Sequence, residues 1–226
     1  MIAVLKKELK SYFLSPIGYI FIGLFLFMAS IFFYVDIIYY GSMNFEYMFF
    51  SLSTILTFIT PLLTMRMFAE EKRNGTDQLL FTSPISMLSI VLGKFLAAIF
   101  ILLITELLTF IYYFILMHFG SPYLPTALST LFGFLLLGTA YISFGMFASS
   151  ITENQIVASI ITIAFFIFTW FMPGFNSNLE AFSLINMFDK FPSGQIALTE
   201  LVTYITFTLL FTILTMIVLQ RKKSLK

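Results

Sequence analysis

Six long apolar runs, separated by short polar breaks, dominate the sequence. An α-helix needs roughly 20 residues to cross the hydrocarbon core of a membrane. We therefore predict membrane spans near residues 17–35, 47–65, 87–117, 127–149, 156–172 and 201–219. The breaks between them carry turn-forming Gly, Pro and Ser, as at Gly41-Ser42 and Pro173-Gly174. The pattern predicts an all-α polytopic membrane protein, with one transmembrane domain over residues 1–226.

The first 15 residues follow a different periodicity. Apolar residues recur every three or four positions, while charged residues occupy the other faces: the former are Ile2, Leu5, Leu9 and Tyr12, and the latter are Lys6, Lys7, Glu8 and Lys10. An apolar stripe opposite a basic face is typical of a helix that lies along a membrane surface. We predict such an interfacial helix over residues 1–15, turned into the first span by Ser15-Pro16. The alternative is a basic flank that only sets topology.

The distribution of Lys and Arg predicts the orientation. If the N-terminus is cytoplasmic, 11 of the 12 basic residues lie on or near the cytoplasmic side, and Lys190 alone lies outside. Cytoplasmic loops of membrane proteins carry such an excess of positive charge. We therefore expect both termini to be cytoplasmic.

Residues 66–84 form a charged segment between the second and third predicted spans. Six of the 23 charged residues fall between Arg66 and Asp77, and a charge at the membrane centre costs about 2.5–3.5 kcal/mol on insertion scales. The segment must therefore face water. Gly75 can end a helix that continues from the second span, and Thr76 or Asp77 can cap a new short helix. The neighbouring Leu79, Leu80 and Phe81 would form an exposed apolar knob, which suggests a docking contact.

Several kinds of chemistry have no support in the sequence. The chain is 60% hydrophobic, has no cysteine and has a single histidine, His118, so we expect neither a metal site nor a nucleic-acid interface. Gly93-Lys94 is not preceded by the glycine spacing of a nucleotide-binding loop. Any ATP must therefore be bound by another chain.

Two further regions are candidates for function. Glu106 is an ionisable residue deep in a predicted span, where carboxylates are functional candidates, although a hydrogen-bonded structural role is the alternative. We expect it to face protein or a pathway and not lipid. The connection at 173–200 mixes apolar and polar residues and suits short helices that dip into the outer leaflet, either as an exit gate or as an interfacial cap.

A set of short motifs resembles a known family over essentially the whole chain. The motifs are Ser15-Pro16-Ile17-Gly18-Tyr19, the stretch from Met65 to Thr76, Ser83-Pro84-Ile85-Ser86, Gly93-Lys94, the stretch from Ser149 to Gln155, and the stretch from Phe191 to Ile196. In order and spacing they resemble the ABC-2 type transporter permeases, and most closely the branch that includes the gliding-motility-associated permeases. Asp77-Gln78 departs from the family, which often has an apolar residue followed by Glu there.

The resemblance implies a mechanism and a set of site residues. In such exporters of the bacterial cytoplasmic membrane, two permease subunits form the pathway, and each docks on a separate ATPase subunit that binds ATP and Mg²⁺. The second permease is another copy or a paralogue, and this chain itself binds no cofactor. The resemblance implies a coupling helix that contacts the ATPase through Gly75, Thr76, Asp77, Gln78, Leu79, Leu80, Phe81 and Thr82. It also implies a smaller contact at Glu153 and Asn154, and a cytoplasmic gate formed by Glu70, Glu71, Lys72 and Arg73.

The cargo and the class of transport leave alternatives open. Aromatic and Met-rich spans with few fixed charges suit an amphipathic peptide or a lipid-like molecule. An ion-coupled secondary transporter or channel is a second interpretation, although it would normally bring several intramembrane polar residues. A third is a membrane scaffold that recruits a cytoplasmic partner, in which case the charged segment would be a solvated loop.

Overall fold

The computed structural model describes residues 1–41, 44–76, 78, 85–120, 122–175 and 182–224. In these ranges the chain is helical, and no strand occurs. The helices are α1 (Ile2–Leu14), α2 (Pro16–Phe32), α3 (Phe45–Thr64), α4 (Ala69–Arg73), α5 (Met87–Thr109), α6 (Ile111–Phe119), α7 (Leu124–Ile151), α8 (Gln155–Phe175), α9 (Leu184–Phe188) and α10 (Leu198–Ser224). A π-helical segment, Phe33–Tyr39, prolongs α2.

Six helical stretches in the described part of the chain are long and apolar enough to cross a membrane. They correspond to the six predicted spans, and most extend a few residues further at each end, as in Pro16–Tyr39 and Leu124–Ile151. The prediction of an all-α polytopic membrane protein is confirmed.

The third span differs from the prediction because it is interrupted at Phe110, between α5 and α6. The hydroxyl of Thr109 donates to the backbone carbonyl of Glu106, at 2.6 Å. The Phe110 N–H, which would pair with that carbonyl in a regular helix, instead donates to Leu107 three residues back, at 3.2 Å. A side chain that competes for a helical carbonyl explains the local break in the helical hydrogen-bond pattern.

Helix α7 is the centre of the bundle. In its most apolar 18-residue stretch, 67% of the residues are buried inside the protein, against 22% in the corresponding stretches of α8 and α10. Small residues let neighbours approach it closely: a Cβ on Gly138 would lie 2.2 Å from Leu102, and one on Gly145 would lie 2.2 Å from the Thr64 hydroxyl. Since lipid and protein interior are equally apolar, such close packing is what holds membrane helices together.

Helix α1 docks on the bundle with most of the predicted apolar stripe, since Leu5 and Leu9 also pack against the core. Val4 and Tyr12 are buried, whereas Ile2, assigned to the apolar stripe, is 65% exposed. Glu8, assigned to the polar face, points into the protein with a side chain only 12% exposed. A Cβ on Gly93 of α5 would lie 2.8 Å from Val4, so this glycine permits the contact.

The segment that follows α8 is described from 182 onward. Four of its apolar side chains are buried in the protein, namely Leu184, Met187, Phe188 and Phe191, whereas Phe182 is 59% exposed. The ring of Phe191 lies against Gly133 of α7, where a Cβ would come within 2.3 Å of it. The Ser129 hydroxyl donates to the Phe191 carbonyl at 2.7 Å. We call Leu184–Phe191 the aromatic anchor.

Candidate coupling site at the charged end

One end of the bundle gathers more than half of the charged side chains that the structure describes, and is called the charged end. It comprises α1, residues 66–76, the first turns of α5 and the connection from α7 to α8. A cleft of about 440 Å³ opens there, lined by Lys7, Glu8, Ser11, Tyr12, Arg66, Met67, Glu70, Glu71, Asn74, Thr76 and Lys94.

A buried lysine joins three helices at this cleft. The side chain of Lys94, on α5, is only 3% exposed, and its Nζ lies 2.9 Å from Glu8 Oε1 of α1 and 2.8 Å from Glu71 Oε1 of α4. Lys7 is 64% exposed, and its Nζ lies 3.8 Å from each of the same two oxygens. We call Glu8, Lys94 and Glu71 the Lys94 triad. Through it the charged segment pairs with the N-terminal helix α1.

The energetics of the Lys94 triad favour a role in geometry over one in stability. Replacing a buried ion cluster as a whole by apolar residues is often neutral, whereas removing one partner costs about 3–5 kcal/mol, because a charge is left buried without compensation. The triad therefore holds α1, α4 and α5 in one relative position while it is intact. A change that exposes it to water removes most of that constraint.

Ser149, in the last turns of α7, stabilises the break between α3 and α4. Its hydroxyl oxygen accepts hydrogen bonds from the N–H groups of Phe68 and Ala69, each at 3.0 Å, and donates to the Met65 carbonyl at 3.0 Å. These are groups that the end of one helix and the start of the next leave unpaired. In the sequence, Ser149 is part of a motif but has no predicted role. The signal that could have revealed its role is a small polar residue at the end of a span.

Lys72 connects α4 to α7 directly. Its Nζ donates to the backbone carbonyl of Ser150, in the last turn of α7. A cation is favourable there, because the carbonyls at a helix C-terminus carry a partial negative charge. Of the four predicted gate residues, Lys72 and Glu71 thus make contacts between helices. Glu70 lines the cleft and Arg73 is exposed, and neither has an ion pair among the described residues.

Arg66 and Tyr12 connect the hinge between α1 and α2 to the end of α3. The Arg66 Nη2 donates to Ser15 Oγ at 3.0 Å, and its guanidinium lies 5.2 Å from the centre of the Tyr12 ring. The Tyr12 hydroxyl donates to the Leu63 carbonyl at 2.9 Å. Burial raises the pKa of Tyr12 above its ordinary value of 10, so the hydroxyl keeps its proton and remains a donor.

Gly75 ends α4 as the sequence predicted. Its φ is +69°, and its N–H donates to Lys72 O at 3.1 Å while the Thr76 N–H donates to Glu71 O at 2.9 Å. This pattern is a Schellman motif, which places a left-handed residue, usually glycine, directly after a helix. Of the predicted coupling helix, Gln78 is helical and exposed. Asp77, Leu79, Leu80, Phe81 and Thr82 lie outside the described residues, and the coupling helix stays a prediction.

The second predicted contact segment is a tight connection between α7 and α8. The side chain of Asn154 accepts from the Ile156 N–H at 2.9 Å, and the Thr152 hydroxyl accepts from the Asn154 N–H at 3.1 Å. Asn154 thus caps α8, while Glu153 is exposed. Because α4 contacts both α7 and α8, this connection lies close to the helix that leads into the predicted coupling segment.

Glu106 lies on α5, apart from the charged end. It is 5% exposed, so the carboxyl faces protein, as expected. The hydroxyl of Thr105 donates to the Ile101 carbonyl, and that of Thr109 donates to the backbone carbonyl of Glu106 itself. Among the described residues, Glu106 Oε1 has no hydrogen-bond partner.

The fold and the charged end define a multi-pass helical membrane protein whose charged contacts are concentrated at one end. The profile of a family described as "ABC-2 family transporter protein" matches residues 2–225. The chain therefore belongs to the ABC-2 transporter family, and is a membrane permease component of an ABC transporter, which works with ABC ATPase subunits. No curated protein matches the chain.

Proposed function

We propose that the chain is the permease subunit of an ATP-driven exporter in the bacterial cytoplasmic membrane, with both termini in the cytoplasm. Two permeases, either two copies or one copy with a paralogue, form the pathway, and each docks on one of two ATPase subunits. ATP and Mg²⁺ bind to those ATPases. The cargo is an amphipathic peptide or a lipid-like molecule, which suits spans rich in Phe and Met.

The observation that carries the proposal is the set of contacts around α4. This five-residue helix directly precedes the predicted coupling segment and contacts α1 and α5 through Glu71, and α7 through Lys72. A displacement of residues 75–82 by a moving ATPase would reach two spans, α5 and α7, and the N-terminal helix α1 through these contacts. The charged end, which carries the excess of basic residues, is then the cytoplasmic end.

The first experiment tests the docking contact. The permease, purified with its ATPase in lipid nanodiscs, should lose cargo-stimulated ATP hydrolysis when Leu79 and Leu80 are both changed to Asp, because the apolar knob becomes charged. The matched variant Leu79→Met with Leu80→Met keeps an apolar surface and should retain stimulation. If ATP hydrolysis by the Asp variant is stimulated normally, residues 76–82 do not dock the ATPase.

A second experiment asks whether the Lys94 triad transmits the motion. In the triple variant Glu8→Gln, Lys94→Met, Glu71→Gln the charges are removed together, so the fold should persist. We expect ATP hydrolysis to continue without transport in proteoliposomes. Transport at the wild-type rate would show that the triad has no part in coupling.

The alternative classes are separated by the presence of the ATPase. A secondary transporter or a scaffold would not change the rate of ATP hydrolysis by a bound partner. Mild extraction followed by affinity purification should recover an ABC ATPase with this chain. Its absence from a stable preparation would contradict the exporter proposal.

A further inference from the structure

The end opposite the charged end has a cavity of about 610 Å³, between the first turns of α3, the start of α7 and the turn after α9. Its lining is Asn44, Glu46, Tyr47, Phe50, Tyr123, Thr126, Asp189, Pro192 and Ser193. The volume falls in the range of roughly 300–1,000 Å³ that is usual for small-molecule sites. No Lys or Arg of the described residues lines it.

The two carboxylates of this cavity are held in place by the fold. Glu46 lies in the first turn of α3, and its Oε1 accepts a hydrogen bond from the Thr126 hydroxyl of α7. Asp189 directly follows the buried Phe188 of the aromatic anchor, so its backbone is fixed by packing. The neighbouring Lys190 is engaged elsewhere, since its Nζ donates to Glu200 on α10. The negative charge of the cavity is therefore not compensated by that lysine.

Aromatic side chains complete the lining. Tyr47, Phe50 and Tyr123 are 55%, 48% and 68% exposed, so their rings are accessible to a ligand. An aromatic face attracts an organic cation by about 0.5–1 kcal/mol at exposed sites and by more when the pair is desolvated. Carboxylates beside aromatic faces suit an ammonium group that carries an apolar body. An anionic ligand would be repelled by the two carboxylates, because no Lys or Arg of the described residues lines the cavity.

We propose that this cavity binds the cationic group of the exported molecule, so that the cargo is an amphipathic cation. The inference rests on the proposed function, since it takes this end as the side of release. The positive charge of the ammonium group compensates the carboxylates of Glu46 and Asp189. The apolar portion of the cargo packs on Tyr47 and Tyr123. The cavity thus selects among amphipathic molecules by the sign of their charge.

The test measures equilibrium binding without ATP, so that it does not depend on export. The probe is hexyltrimethylammonium, titrated by calorimetry into the permease–ATPase complex in phosphatidylglycerol nanodiscs. The uncharged twin is hexyl glucoside. We expect the cation to bind at least tenfold more tightly than the glucoside, and the double variant Glu46→Gln with Asp189→Asn to lose that difference.

Two control variants keep the result interpretable. Asp36→Asn removes a carboxylate from the π-helical segment, outside the cavity lining, and should leave binding unchanged. Asp189→Glu keeps the charge and should retain most of the affinity even if Asp189→Asn unfolds. Equal binding of the cation and the glucoside, or full binding by the double variant, would overturn the proposal.

One more comparison separates cargo from lipid. If phosphatidylethanolamine in the nanodiscs competes with the probe, the cavity holds a lipid headgroup, and the assignment to cargo is wrong. If the complex exports but the probe does not bind, the cavity proposal fails and the export function stands. If the probe binds but no ATPase activity accompanies transport, the export proposal fails instead.

Discussion

The two ends of this molecule are stabilised by different chemistry. At the charged end, α1, α4, α5 and α7 meet through hydrogen bonds and the ion pairs of the Lys94 triad. At the opposite end, the aromatic anchor packs Phe188 and Phe191 against the rings of Phe134 and Tyr204. Close packing of buried rings is cooperative, so a small displacement disrupts all of it. The members of an ion pair, in contrast, can separate and form hydrogen bonds with water instead. The contrast indicates a fixed end and an end built to rearrange.

The largest effect is expected at the fixed end. Phe191→Ala removes a fully buried ring and leaves a cavity beside Gly133, which should lower the free energy of unfolding by about 4 kcal/mol. Phe175→Ala, the same change at a residue that is 79% exposed, should alter it by about 0.5 kcal/mol or less. Denaturation in lipid nanodiscs, followed by intrinsic fluorescence, measures both. Similar values for the two variants would remove the distinction between the ends.

The next effect concerns the Lys94 triad. Lys94→Met leaves two mostly buried carboxylates beside each other and should destabilise the fold by about 3 kcal/mol. Lys7→Met, at the exposed lysine of the same cluster, should cost about 0.5 kcal/mol or less.

The triple variant that removes all three charges of the triad completes this series. It should recover stability to within about 1 kcal/mol of the wild type. If it is as unstable as Lys94→Met alone, the charged end is held by specific ion pairs and cannot rearrange as inferred.

A smaller effect is expected at the break between α3 and α4. Ser149→Ala leaves the Phe68 and Ala69 N–H groups without their partner and should cost about 2 kcal/mol. Ser150→Ala is the matched control, since the Ser150 hydroxyl donates to the Phe147 carbonyl of its own helix and bonds to no other helix among the described residues. It should cost about 0.5 kcal/mol. Equal melting temperatures for the two variants would show that Ser149 does not stabilise the break.

The smallest effect is a pH dependence at the opposite end. Partial removal from water raises the pKa of Asp189 from 3.8 to about 6. The folded protein therefore binds more protons than the unfolded chain between these values, so stability falls as pH rises through about 6. The melting temperature of the wild type minus that of Asp189→Asn should decline between pH 4 and pH 7. A flat difference would contradict the desolvation of this carboxyl.

The spans could be predicted from sequence because each is specified locally, by a continuous apolar run. The end of α4 at Gly75 was predictable for the same reason, since glycine alone favours its left-handed backbone. The Lys94 triad was not predictable. Periodicity assigned Glu8 to the polar face, because its partner Lys94 lies 86 residues further along the chain. The contacts of Ser149 were missed likewise, since 81 residues separate it from Phe68.

That long separation has a consequence for how the protein is made. Helix α1 leaves the ribosome before α5, because Gly93 and Lys94, on which it docks, are synthesised about 4–17 s later at rates of 5–20 residues per second. During this interval Glu8 cannot pair with Lys94, and α1 cannot dock because α5 has not yet been synthesised. A basic amphipathic surface lets it rest on the membrane in the meantime. We therefore expect the exposed Lys6, Lys7 and Lys10 to hold the nascent helix α1 at the membrane surface until α5 is made.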